Sequence, residues 1–334
     1  MPNEDVRISA GVPAYNTGPR LREAVESLLH QELPAGTRWS RLWIVVSGCT
    51  DDTLEVAESL ALKDARVAVV RQATREGKAS ALREIFARAE GEYLVLLNGD
   101  ATALPGAVRA LLASAEGQPG NFAIMGRPMV HPDRTHGIGH ALEILWDLHH
   151  RLHQKTLTAQ EGNHLSDELW LLPIPVRVPF PSGVVNDGAY LGAWLRGHGG
   201  RILYAPTAHV MLETPRTLGE HLRQRRRIHW GHRQIAALLG VEPTTWKSYA
   251  KRHPAAATRE ILGCAREHPM GIPWTALLAL IEVQAFLLAG WDRHVGGKNH
   301  VLWDIVAPAR APQRSPSLGA RSSDAAHGAS SEFA

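Results

Sequence analysis

Residues 93–100 read Tyr-Leu-Val-Leu-Leu-Asn-Gly-Asp: five residues without a charge, then three that stop the run. A short unbroken apolar run closed by turn residues is a strand buried on both faces, and such strands belong to parallel sheets covered by helices. Toward the N-terminus the same signal repeats. A helix from about 77 to 89 precedes it, then a strand at 66–70 and a helix at 52–62. Leu42 to Val46 is another strand, ended by Ser-Gly-Cys-Thr-Asp-Asp-Thr, a turn able to N-cap the next helix. Leu21, Ala24, Val25, Leu28 and Leu29 recur at helical spacing, and Val6 to Val12 is an apolar strand running into Pro-Ala-Tyr-Asn-Thr-Gly-Pro. This order predicts an α/β fold with a mostly parallel sheet flanked by helices. Ligands in such sheets bind at the carboxyl ends of the strands, where three of the polar loops fall.

Toward the C-terminus the pattern loosens. Residues 121–185 carry a helix over 138–155 and a Pro-broken strand stretch from Trp170 to Pro181. A helix follows Asn186 and ends near Gly197, Arg201 to Tyr204 is a short strand, and a helix spans 216–238. The most apolar segment is 271–291, and from 308 the chain is rich in Ala, Pro, Arg and Ser, which predicts a disordered tail. The expected organisation is one domain over 1–240, in two halves of about 1–120 and about 121–240. A helical extension over 241–307 and a tail over 308–334 follow.

At 334 residues, 44% hydrophobic and 21% charged, the chain has ample length for a core and is neither collagenous nor wholly disordered. A net charge of +3 gives no argument for nucleic acid. Arg outnumbers Lys thirty to six, which suits phosphate recognition or reflects compositional bias. Cys49 and Cys264 lie far apart and form no disulfide framework. The first residues lack a secretory pattern, so the expected location is cytoplasmic.

Several residues carry candidate chemistry. Asp100 ends a buried strand, where a carboxylate either holds a divalent cation or caps the next helix. Glu76-Gly77-Lys78 opens a helix whose amides and Lys face an anion, although the phosphate-loop spacing is missing. Asp187 in Asn186-Asp187-Gly188 reads as a general base or as a helix cap. Arg223, Arg226 and Arg227 share one side of a helix, with Arg225 pointing away, and meet solvent or an anion. None of the 18 histidines has a zinc-type spacing.

Five segments in order resemble family 2 glycosyltransferases of the GT-A fold: VRISAGVPAYN, IVVSGCTDDT, REGKASALREIFARAEGEYLVLLNGD, VVNDGAYLGAWLRGHGG and TPRTLGEHLRQRRRIHWG. They span about residues 6–231. The resemblance implies transfer of a sugar, a hexosyl group, with inversion from a nucleotide-diphosphate donor to a hydroxyl acceptor. It implies a donor site of Pro13, Ala14, Tyr15, Asn16, Asp51, Lys78, Asn98, Gly99, Asp100, Arg226 and Arg227. Asp100 would hold Mn2+ or Mg2+ against the diphosphate, and Asp187 would take the acceptor's proton. Acceptor contacts are expected from Trp146, His149, His150 and Trp170. The chain departs from the family pattern at four places. Val46-Ser47 replaces an acidic pair, Asn98 stands for the first Asp of Asp-x-Asp, Asn186 for an acidic neighbour, and Ile228 for a Trp. A glycosyltransferase-like fold that binds nucleotide sugar or glycan without turnover is the alternative these departures motivate. The segment 272–291 is expected to be a buried or dimer-forming helix first, a helix on the inner membrane surface second and a membrane span third, since Glu282 and Gln284 sit mid-segment.

Overall fold

The computed structural model describes residues 5–130 and 138–302. The first half alternates strand and helix: β1 (Val6–Ala14), α1 (Pro19–Leu29), β2 (Thr37–Ser47), α2 (Thr53–Lys63), β3 (Val67–Gln72), α3 (Lys78–Arg88) and β4 (Tyr93–Leu97). There follow β5 (Ala101–Ala103), α4 (Ala107–Ala115), β6 (Phe122–Val130), α5 (Gly139–Thr158), β7 (Leu169–Pro173), α6 (Asp187–Gly197) and β8 (Arg201–Leu212). Helices α7 (Leu218–Leu239), α8 (Trp246–Arg252), α9 (Pro254–Glu267) and α10 (Gly271–His294) complete the described chain.

Eight strands make one sheet in the order β3-β2-β1-β4-β7-β6-β8-β5. β1 pairs in parallel with both β2 and β4, and β2 with β3. β7 runs antiparallel to its neighbours β4 and β6. The period-two pleat of β4 splits its side chains between two cores. Val95 and Leu97 join Ile8, Leu28 and Ile44 on one face, and Leu94 and Leu96 join Leu82, Ile85 and Trp170 on the other. Each fully buried Leu or Ile contributes roughly 1.5–3 kcal/mol.

Three expectations change. The strand expected over Trp170–Pro181 is only β7, because Pro173 and Pro175 end its ladder and the chain leaves the sheet. The loosely patterned stretch after 121 contains β6, whose signal is broken by Gly126 and Pro128. A Cβ on Gly126 would lie 2.5 Å from the Ala208 carbonyl oxygen, and the β6–β8 register shifts between Met125 and Arg127. After that shift β8 keeps pairing through Leu212, well beyond Tyr204. The expected tail over 308–334 lies outside the described residues.

Among the described residues, helix α10 is not enclosed. Its inner side packs on α5, α7 and α9, while Ile272, Leu280, Val283, Leu287 and Trp291 face outward at 58–64% exposure. By length and composition this helix suffices to cross a bilayer.

Candidate functional site

A cavity of about 820 Å³ opens at the carboxyl ends of β1, β2 and β4. Pro13, Ala14, Tyr15, Asn16, Lys78, Asn98, Gly99, Asp100, Trp146, His149, Asp187 and Arg227 all line it. A sheet whose parallel strands end together at one edge brings these scattered loops within reach of one ligand.

The loops are braced by contacts with one another. Asn16 and Thr50 exchange hydrogen bonds: the Asn16 amide donates to Thr50 Oγ1 at 2.9 Å, and the Thr50 N–H donates to Asn16 Oδ1 at 2.8 Å. Gly48, at φ +58°, crosses the chain at Arg75, where a Cβ would come within 2.3 Å of the backbone nitrogen. That contact sets Arg75, whose guanidinium lies 3.9 Å from the centre of the Tyr15 ring.

Lys78 leads α3 into a pair of carboxylates. Its Nζ lies 2.6 Å from Asp167 Oδ2 and 2.8 Å from Asp187 Oδ2. Asn186, not Asp187, caps α6 by accepting the Ala189 N–H at 3.0 Å, which leaves the Asp187 carboxylate to face Lys78. Gly188 permits this approach, since a Cβ there would meet the Leu165 carbonyl oxygen at 2.4 Å and Asp167 Cβ at 2.8 Å.

The electrostatics of the three groups are coupled. Burial opposes the charge on Lys78, but Asp167 and Asp187 outweigh it and raise its affinity for the proton. Burial pushes Asp187 up, against the pull of Lys78 and with the added repulsion of Asp167. Burial also opposes the charge on Asp167, yet Lys78 holds it below the usual carboxylate range. Glu168, hydrogen-bonded to Ser166 Oγ, is raised to about 8 by burial and by the Asp167 charge.

Asp167 and Glu168 are absent from the residues singled out by sequence. They precede β7, and only its antiparallel direction carries its first residues to the edge where the parallel strands end. Their signal was the Ser-Asp-Glu triplet before an apolar run, which does not reveal strand direction.

Four expected site residues do not line the cavity. Asp51 turns back to Thr53, accepting from its N–H at 3.1 Å and its Oγ1 at 2.6 Å. Thr53 Oγ1 in turn accepts the Thr17 and Gly18 N–H groups, so Asp51 braces the β1 loop from behind. Arg226 is held by Asp292 of α10 through a two-pronged pair. Its neighbour Arg225, expected to point away, instead lines the cavity and pairs with Glu282. His150 points to a second surface depression and meets Tyr204 Oη at 2.7 Å. Trp170 is fully buried in the sheet core, with Lys78 Nζ 5.7 Å from its ring centre.

Asp100 is exposed at the cavity wall, and no ion pair engages it among the described residues. One carboxylate fits a hard divalent cation that takes its remaining oxygens from a diphosphate and water. Asp147, Cys264 and His268 form a group of potential metal ligands elsewhere, and none of them lines this cavity.

Residues 9–169 match the family described as glycosyl transferase family 2. The glycosyltransferase GlyG of Streptococcus pneumoniae serotype 4 is 34% identical over 93 residues, covering 28% of this chain and 30% of that protein. The uncharacterized glycosyltransferase EpsJ of Bacillus subtilis is 36% identical over 93 residues, covering 28% of this chain and 26% of its own length. The match thus spans less than a third of either relative. The mannosyltransferase PcManGT of Pyrobaculum calidifontis, solved in complex with GDP-Man and Mn2+, aligns over 88% of both chains with a TM-score of 0.61 and 18% identity. At that identity the likeness is one of fold, the GT-A fold.

Proposed function

We propose that this chain, whose residues 9–169 belong to glycosyltransferase family 2, transfers a hexosyl group from a nucleotide-diphosphate sugar to a hydroxyl acceptor with inversion. The observation that carries the reading is the Asp187–Lys78–Asp167 group at the strand-end cavity. The donor lies against Pro13 to Asn16 and Asn98 to Asp100, with Arg227 toward the diphosphate. Asp100 is the residue that would hold Mn2+ or Mg2+, and such a cation offsets charge on the departing diphosphate.

Asp187 accepts the acceptor's hydroxyl proton as oxygen attacks the anomeric carbon from the face opposite the diphosphate. Two features of this chain suit it to that task. Burial raises its proton affinity, while Lys78 keeps the carboxylate charged beforehand. Once Asp187 is neutralised, Lys78 still has the Asp167 carboxylate at 2.6 Å, so the buried cation never loses its counter-charge. The four side chains outside the cavity play no contact role here: Asp51 and Trp170 support the walls, and Arg226 and His150 belong to other surfaces.

The test is a thermal-shift panel of nucleoside diphosphates and their sugars, with and without Mn2+, followed by donor turnover. A ligand that binds only the native state raises the melting temperature. A metal-dependent shift abolished by Asp100→Asn, and turnover lowered about 10²–10⁴-fold by Asp187→Asn with the shift retained, is the expected result. A shift without turnover in the native chain would favour the non-catalytic binding module. No shift would sink the donor site.

The outward stripe of α10 suits a peripheral position on an anionic inner membrane surface, because exposed Arg293 and Lys298 follow its apolar residues. Co-sedimentation with phosphatidylglycerol vesicles in preference to phosphatidylcholine is expected. A concentration-dependent dimer without vesicle binding would assign the stripe to a second copy instead.

A further inference from the structure

The cavity has two chemically different ends. The end at the strand termini carries Asp100 and Arg227 beside the Lys78–Asp187–Asp167 group, the polar end where the donor is placed above. The other end runs between the C-terminal helices. Its wall is Leu145, Leu148 and Leu152 of α5, Trp246 of α8, and Leu278 and Phe286 of α10. Spacings of three and four residues put the three α5 leucines on one face of that helix. The cations at this end are engaged by the protein itself. Arg225 is neutralised by Glu282, and the Arg233 and Lys247 cations sit 4.3 and 4.0 Å from the centre of the Phe286 ring.

His149, His164 and His232 also line the cavity, the His164 and His232 rings 5.2 Å apart. Burial keeps all three uncharged near neutral pH, and His232 Nε2 is buried without a hydrogen-bond partner among the described residues. Neutral imidazoles offer hydrogen bonds without charge, which suits a hydroxylated, uncharged group.

The apolar end is also open. Ala279 and Val283 of α10 line the cavity and are nonetheless exposed. They adjoin the outward stripe of Leu280 and Leu287, which does not line the cavity. Apolar residues exposed on the outside of α10, Ala279 among them, thus share one cavity with the histidines and Asp187.

We propose that the acceptor is an amphiphile, an uncharged hydroxylated head on a flexible apolar chain. The chain lies between α5, α8 and α10, and the reacting hydroxyl lies at Asp187. This rests on the glycosyl-transfer reading and names the acceptor class that reading leaves open. A free amphiphile and a bilayer lipid present the same chemistry to the cavity.

The test uses n-hexyl, n-octyl and n-decyl β-D-glucoside, each below its micelle concentration, titrated calorimetrically into the full chain. Burial of methylenes at about 0.8 kcal/mol each corresponds to about fourfold in affinity per methylene, so about 15-fold is expected at each step of the series. The heat capacity change should be negative. Ala279→Trp, which fills the opening, should weaken decyl glucoside at least tenfold while the shift with nucleoside diphosphate and Mn2+ stays. Leu287→Gln, on the outer stripe, should leave the series unchanged.

Affinity independent of chain length would overturn the proposal. So would sensitivity to Leu287→Gln without sensitivity to Ala279→Trp, because the chain would then lie outside. The nucleotide shift, measured on the same preparation, keeps the two readings apart: its absence removes the glycosyl-transfer reading, whereas its presence with a flat alkyl series removes only the amphiphile. Co-sedimentation with phosphatidylcholine vesicles only when they contain decyl glucoside would assign the chain to a bilayer source. Binding of the monomer alone would assign it to a soluble one.

Discussion

Replacing Lys78 by Met keeps the aliphatic stem and removes the charge that Asp187 and Asp167 share. Asp187 is only 3% exposed. Stripping one partner from a buried ion pair costs about 3–5 kcal/mol when the other must stay charged. Asp187 can escape by taking up a proton. Holding it neutral costs about 1.36 kcal/mol for each pH unit above its ordinary value near 3.9. At pH 5 that ceiling is about 1.5 kcal/mol, so the variant is only mildly destabilised. At pH 8 the ceiling exceeds 5 kcal/mol, and the full loss of about 3–5 kcal/mol is felt. The sign follows from a folded-state proton affinity raised above the unfolded one: the penalty is absent below pH about 3.9 and grows as pH rises. Urea unfolding of variant and native chain at pH 5 and pH 8 measures it. Adding Asp187→Asn should recover most of the loss at pH 8. An equal loss at both pH values, or one below about 1 kcal/mol at pH 8, would refute the charge-sharing argument.

Two further outcomes are expected. Gly188→Ala puts a Cβ 2.4 Å from the Leu165 carbonyl oxygen. It should cost about 1–3 kcal/mol in urea unfolding, and donor turnover should fall further than the stability loss explains, because Asp167 is displaced. The buried histidines set an acid limit. His149 and His164 are lowered to about 4, chiefly by burial, whereas an unfolded histidine titrates near 6.5. Unfolded chains therefore take up protons first, and stability should fall as pH drops from about 6.5 to about 4. His149→Gln should flatten that dependence of the urea midpoint; an unchanged slope would count against it.

The alternating half of the fold was legible because its strands announce themselves. Tyr93–Leu97 is bounded in the structure where its apolar run begins and ends. The loops after such strands were equally readable, since parallel strands finish at one edge by construction, and Asn16, Asn98 and Asp100 all reach the cavity. Direction was the missing quantity. Nothing in Leu169–Pro173 says that it runs against β4, so Asp167 and Glu168 stayed hidden although they lie beside a residue that had been singled out. Partners of charged side chains were equally illegible. Arg226 and Arg225 are adjacent on one helix, yet which of them faces the cavity is decided by Asp292 and Glu282, more than fifty residues away. Asp51 shows the remaining difficulty, because a carboxylate at a strand-end turn serves a ligand or its own backbone equally well until its neighbours are fixed.

The lysine bridge has a consequence for the chain as it is made. Lys78 emerges from the ribosome about ninety residues before Asp167 and more than a hundred before Asp187. Until β7 is inserted between β4 and β6, the start of α3 carries an uncompensated cation at an open sheet edge. A nascent chain arrested before residue 167 should therefore be soluble only with that edge shielded. Synthesis of residues 167–187 joins β4 to β6 and balances the charge together, linking growth of the scaffold to assembly of the centre it supports.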